Sequence, residues 1–283
     1  MMPILAATSR SRSAATAVAA LADKAWAVLR RELLTALRYR AGFLLTMLSH
    51  LAELAAFFFL ARSVGSGYRP EGHDYFLFLL VGTGFYSFLL NGISSFLTMI
   101  QEAQTTGTLE VLMTTSTSPT VLVLLSAFSS FLRSAAGMFL YLLGGVLLFG
   151  ASLAGANPLS VTLVSLLSLL LVVGLGLFAA AVQLAIQRGS AIVWVIGTTT
   201  WMVTGTLFPV SALPAPVQWM AQAFPLTQAL NAMRRALLDG ATPGQLLPEL
   251  ARLAACSLLL PAGWLAFAYA LRTARRRGTL SYY

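Results

Sequence analysis

The feature that most limits how this chain can fold is a series of long stretches almost free of charge. Each has about 20 residues or more, enough to cross a hydrocarbon core of roughly 30 Å at about 1.5 Å per helical residue. Six such stretches fall at 41–61, 75–98, 119–149, 159–187, 190–208 and 246–271. Only 10% of residues are charged while 58% are apolar, and the mean hydropathy is +0.81. A soluble domain carries roughly 25% charged residues. A soluble α/β enzyme, a coiled coil and a disordered chain are therefore excluded, and a transmembrane barrel would show short alternating segments instead. The expected fold is an all-α integral membrane protein with six transmembrane helices.

The net charge of +9 does not indicate a nucleic-acid partner. Most of the 18 Lys and Arg sit near the two ends: Arg10, Arg12, Lys24, Arg30, Arg31, Arg38 and Arg40 precede the first span, and Arg272, Arg275, Arg276 and Arg277 follow the last. Basic residues concentrate on the cytoplasmic side of membrane proteins, so both termini of this multi-pass protein are expected in the cytoplasm. Cys256 is the only cysteine, and His50 and His73 are the only histidines. No intrachain disulfide, zinc cluster or haem motif can be built from that set, and no metal site is expected.

Residues 1–20 are rich in Ala, Ser, Thr and Arg and read as a disordered tail, residues 21–275 as one six-span domain, and residues 276–283 as a cytoplasmic tail. Between 21 and 40, Trp26, Leu29, Leu33 and Leu37 recur at helical spacing, while Lys24, Arg31 and Arg38 recur on the opposite side. This pattern predicts an N-terminal amphipathic helix on the cytoplasmic membrane surface, apolar face in the acyl boundary and cations toward anionic headgroups.

One cytoplasmic loop breaks the charge pattern. From Ile100 to Thr120 there are two acids, Glu102 and Glu110, and no Lys or Arg. Leu109, Leu112 and Met113 form a short apolar face with both acids set to the polar side. A short amphipathic helix at the mouth of a bundle suits docking into a groove of a soluble partner.

Here the sequence resembles a family. Glu102 followed by Gly107-Thr108-Leu109-Glu110 is similar to the Glu-x(4)-Gly-Thr-Leu-Glu signature in the cytosolic coupling helix of type-2 ABC exporter permeases, the family of O-antigen and daunorubicin exporter membrane subunits. A second match runs from Leu207 to Pro214, through Phe224-Pro225-Leu226-Thr227, to Ala232-Met233-Arg234-Arg235. It resembles the family's proline-bounded re-entrant segment before the last span. The resemblance covers roughly residues 21 to 275 and implies a permease subunit of an ATP-binding cassette exporter. It implies an ABC ATPase partner in two copies, carrying the ATP and Mg, and pairing of two permeases as a homodimer or with a paralogue. It also implies coupling to the ATPase through Glu102, Gly107, Thr108, Leu109 and Glu110, and a re-entrant gate at Pro209, Pro214, Pro225, Leu226 and Arg234. Apart from the family, the prolines at 209, 214, 216 and 225 preclude a continuous helix, and irregular backbone at membrane depth needs protein or a water-filled cavity around it.

ATP hydrolysis cannot come from this chain. A phosphate-binding loop needs Gly-x(4)-Gly-Lys followed by Ser or Thr, and the only lysine, Lys24, follows Asp23. No cofactor is expected on the chain itself. Ionisable residues within spans are functional candidates because each costs about 2.5–3.5 kcal/mol at mid-membrane. His50 and Glu53 share a face of the first span, and Arg133 in the third lies at nearly the same depth, so a Glu53–Arg133 ion pair is expected. Gly82, Gly84, Gly197 and Gly205 read as sites of close helix packing. A membrane-embedded enzyme is disfavoured by the absence of HExxH and Gly-x-Ser-x-Gly motifs. A secondary transporter or channel is the alternative, although no internal repeat is evident. The expected cargo is amphipathic, lipid-linked or drug-like.

Overall fold

The structure, a computed structural model, describes residue 30 and residues 40–107, 119–186 and 189–277. All regular structure among them is helical: α1 (Arg40–Val64), α2 (Tyr75–Thr105), α3 (Pro119–Phe149), α4 (Pro158–Ile186), α5 (Gly189–Val203), α6 (Ala215–Ala223), α7 (Pro225–Leu237), α8 (Leu247–Cys256) and α9 (Leu259–Arg277). The helix expected over 21–40 lies outside the described residues, Arg30 and Arg40 apart.

Helix starts follow local chemistry. Proline opens α3, α4 and α7, where its missing N–H costs nothing and its fixed φ is already helical. The Asp74 carboxylate accepts from the backbone N–H of Phe76 and Leu77 at the start of α2 (2.9 and 3.4 Å), and Asn157 Oδ1 accepts from Ser160 at the start of α4. The end of α2 differs from the expected boundary near residue 98. No helix breaker intervenes, so the helix runs on to Thr105, and Gly107 stops it with φ +67°, a left-handed value that glycine adopts without strain.

Among the described residues, five segments are long and apolar enough to cross a membrane: α1, α2, α3, α4 and the α8–α9 pair. The remaining expected span, 190–208, contains α5, which has 15 residues and is about 22 Å long. The apolar run continues beyond it, but Gly205 at φ +83° ends the helical path. The last span is broken between α8 and α9. Pro261 cannot bond the Ser257 carbonyl four residues back and crowds it, and Leu260 N–H takes that carbonyl at 2.9 Å instead. The long helices α3 and α4 run unbroken, and two of their glycines serve as contacts: Gly145 lies against Leu80 and Gly176 against Phe96.

Helix α2 is the centre of the bundle. It packs on α3 and α4, with α1, α5 and α7 around it. Phe78, Leu79, Leu80, Phe85, Phe88, Leu89, Phe96 and Leu97 are all buried. Toward the C-terminal end of α2, Phe96, Ile100, Leu177, Leu184, Phe267 and Leu271 join α2, α4 and α9. By contrast, Leu44, Leu45, Leu48 and Phe59 of α1 and Trp194, Val195 and Ile196 of α5 are exposed. Against acyl chains such surface carries no hydrophobic penalty.

Candidate functional site

A helix as thoroughly buried as α2 leaves little uncovered, and the strip it leaves is polar. Ser87, Asn91, Ser94 and Thr98 are spaced four, three and four residues apart, which places them on one helical face. Asn91 and Thr98 are exposed, with Ser87 and Ser94 half-buried between them. Lipid chains offer no hydrogen bonds, so a polar strip at membrane depth belongs against water, a ligand or other protein. The sequence reading missed this face. Its signal was present as a helical period of hydroxyl and amide groups in an otherwise apolar span.

Hollows flank the strip on both sides. One, of about 380 Å³, lies among α1, α2 and α3 and is lined by Ser87, Asn91, Ser94 and Thr98 together with His50, Glu53 and Arg133. Another, of about 580 Å³, shares the same four residues and is closed on its far side by Trp194, Gly197, Thr198 and Trp201 of α5. The Tyr86 hydroxyl donates to the Gly197 carbonyl at 2.5 Å and lies 2.7 Å from Thr200 Oγ1, fastening α5 to α2 beside the strip.

The ionisable residues singled out in the spans converge on the first hollow. His50 Nδ1 lies 3.8 Å from Glu53 Oε2, one turn away on α1. The imidazole meets the Tyr141 ring edge-on at 5.6 Å between centroids, and Tyr141 Oη is 3.0 Å from Thr83 Oγ1. Arg133 faces the same space from α3. Glu53 and Arg133 thus line one hollow, with the His50 imidazole beside the Glu53 carboxylate.

The proline-bounded segment forms two short helices. Pro209 precedes a single 3-10 turn over Val210–Ala212, Pro214 caps α6, and Pro225 is the first residue of α7. Leu226 is buried in the core shared by α2, α4 and α7. Arg234 is 2% exposed, and its guanidinium carbon lies 3.5 Å from the Phe78 ring centroid. Nη1 donates to the Gly205 carbonyl (2.8 Å), and Nη2 to the carbonyls of Thr206 (3.1 Å) and Phe78 (3.3 Å). The Gly205 and Thr206 carbonyls lie just past the C-terminus of α5, where the helix dipole is negative, so backbone helps to balance the buried charge. Arg234 is therefore a clasp joining α7, α2 and the end of α5. Near it Tyr75 Oη donates to the Leu207 carbonyl (3.2 Å), His73 Nε2 lies 3.0 Å from Asp239 Oδ1, and Arg235 pairs with Glu249.

At the opposite end of α2, the Glu102 carboxylate is exposed in the last helical turn. Its backbone carbonyl accepts from Thr106 N–H (2.9 Å) and Thr106 Oγ1 (2.7 Å). An acid here opposes the helix dipole, so Glu102 does not stabilise the helix end. Gly107 follows as the left-handed stop; Thr108, Leu109 and Glu110 lie outside the described residues. Gln183 Nε2 donates to Gln104 Oε1 at 2.9 Å, holding this end of α2 against α4.

The family model described as ABC-2 type transporter matches residues 23–238. No curated protein matches the chain.

Proposed function

We propose, from the premise that this chain belongs to the ABC-2 type transporter family, that it is the permease subunit of an ATP-driven exporter in the bacterial inner membrane, with both termini in the cytoplasm. Two copies of a separate ATPase subunit carry ATP and Mg and drive it. A second permease, another copy or a paralogue, completes the path. The cargo is amphipathic, lipid-linked or drug-like. No catalytic step is assigned to this chain.

The observation that carries this reading is the polar strip of Ser87, Asn91, Ser94 and Thr98, open along the otherwise buried central helix and flanked by two hollows. Such a strip at membrane depth supports a route for polar parts of a cargo, while the exposed apolar flanks of α1 and α5 suit its apolar parts. The stop at Gly107, with Glu102 exposed ahead of it, supports the cytosolic end of α2 as the place where the ATPase attaches.

Reconstituted with its ATPase, the chain is expected to move cargo only with ATP. Vesicles holding the permease alone that still transport would overturn the exporter reading in favour of a secondary transporter or channel. Replacing Asn91 and Ser94 together by leucine is expected to lower transport about tenfold while thermal stability stays close to wild type, since neither side chain fills the core. Glu110→Lys is expected to leave ATP hydrolysis running while transport falls about tenfold, because a reversed charge at a docking surface costs roughly 1–2 kcal/mol. Unchanged transport in that variant would remove this loop from the ATPase contact.

A further inference from the structure

The hollow among α1, α2 and α3 contains groups that a merely wet path does not require. A carboxylate (Glu53), an imidazole (His50) and a guanidinium (Arg133) face one space of about 380 Å³, at mid-length of α1 and α3. Glu53 lies 13 residues from the start of α1 and 11 from its end, and Arg133 is similarly central in α3. A charged side chain at that depth costs about 2.5–3.5 kcal/mol unless something polar meets it. Both signs are present, and the rest of the polar lining is neutral, made of the Asn91 amide and hydroxyl groups such as those of Thr46, Ser87, Ser94 and Ser134.

We propose that this hollow binds the zwitterionic headgroup of an amphiphile, with its acidic group at Arg133 and its ammonium group at Glu53. A ligand of one sign would face a like charge across a space only a few side chains wide, in a medium where such repulsion is weakly screened. A neutral polyol would satisfy the hydroxyls and leave both charges without a ligand partner. A zwitterion meets both. Outside the hollow, Leu44, Leu45 and Leu48 of α1 and Leu132 of α3 are exposed and offer apolar surface to acyl chains. The volume admits a compact headgroup, and the acyl chains stay outside it. The proposal rests on the permease reading only in calling this ligand cargo. Binding itself is a property of the chain alone.

The test uses the full-length permease without ATPase, in a neutral maltoside detergent, with apparent Kd read by native mass spectrometry. The probes are dihexanoylphosphatidylethanolamine, dihexanoylphosphatidylglycerol, dodecyltrimethylammonium and free phosphoethanolamine. The zwitterionic lipid is expected to bind about tenfold more tightly than either singly charged amphiphile, the value of one charge-assisted hydrogen bond. It is also expected to bind more tightly than free phosphoethanolamine, which lacks the apolar body. Glu53→Gln is expected to shift preference toward phosphatidylglycerol and Arg133→Gln toward dodecyltrimethylammonium. Opposite shifts report charge recognition, which a purely structural role of either residue does not produce. Equal binding of all four probes by the wild-type chain overturns the proposal without reference to any variant, as do two substitutions that weaken every probe alike. Loss of ATP-driven transport with these preferences intact would count against the exporter reading and leave the site standing.

Discussion

Replacing Arg234 by methionine is expected to destabilise the chain by about 3 kcal/mol and to lower Tm by roughly 10 °C. Methionine fills comparable space, so the loss isolates the polar part of the clasp. The Gly205 and Thr206 carbonyls lose their charged donor while remaining inside the protein, and a buried acceptor without a partner costs about 1–3 kcal/mol. The contact between the guanidinium face and the Phe78 ring is lost as well. Arg234→Lys keeps the charge but not the planar fork that spans three carbonyls, and is expected to recover about half of the loss.

The clasp also makes a coupling prediction. A Cβ added at Gly82 would overlap Arg234 Nη2 and sit 2.6 Å from the Thr206 carbonyl oxygen. Gly82→Ala therefore displaces the same guanidinium from α2, and its cost is expected to combine with that of Arg234→Met to less than their sum. Thermal denaturation of the two single variants and the double variant measures this. Strict additivity would show that the residues do not share one seam.

Gly263→Val is expected to abolish the folded protein. Helix α9 crosses α4 where Gly263 faces Gly174, and a Cβ on Gly263 would overlap the Gly174 carbonyl oxygen and lie 3.1 Å from its carbonyl carbon. From the other side, a Cβ on Gly174 would meet the Leu259 carbonyl carbon and the Leu260 nitrogen at 2.8 Å. Every atom in the way is backbone, so no rotamer change relieves the overlap and the helices must separate. That separation opens the packing of Phe267 and Leu271 against Leu177 and Leu184. The milder Gly263→Ala is expected to cost about 2 kcal/mol net, even though alanine is favoured over glycine within a helix by about 1 kcal/mol. Gly42→Ala in α1, with nothing within 4 Å of the added carbon, is the matched control and is expected to be neutral or slightly stabilising. Comparable Tm losses in both alanine variants would show that the crossing is not tight.

Much of the membrane architecture was readable because hydropathy is a property of a stretch. Each of the five long apolar segments declares itself without reference to the others. The stretch at 190–208 shows the limit of that reading: its composition gives no stop, yet the helix ends at Val203 ahead of the turn at Gly205. The break near Ser257 was legible in principle from Pro261, four residues on, but lay inside an apolar run that reads as continuous. At the candidate site, counting residues from the helix starts placed Glu53 and Arg133 at one depth, and the hollow they share has that geometry. The partnership of His50 with Glu53 was visible as a three-residue spacing. The strip from Ser87 to Thr98 was visible as a period and was masked by the surrounding phenylalanines and leucines.

By itself the sequence determined the class of protein: a helical chain for a membrane, with an uncharged length for each crossing and an acid-bearing loop where the basic pattern fails. These are local properties, set by the bilayer thickness and by the need of each helix to satisfy its own backbone. Only the tertiary structure decided what the few polar groups do. Arg234 reaches Phe78 across 156 positions and Tyr86 reaches Gly197 across 111. A buried polar group is stable only beside its partner, and that partner is supplied by the packing of distant helices, which composition and periodicity do not encode.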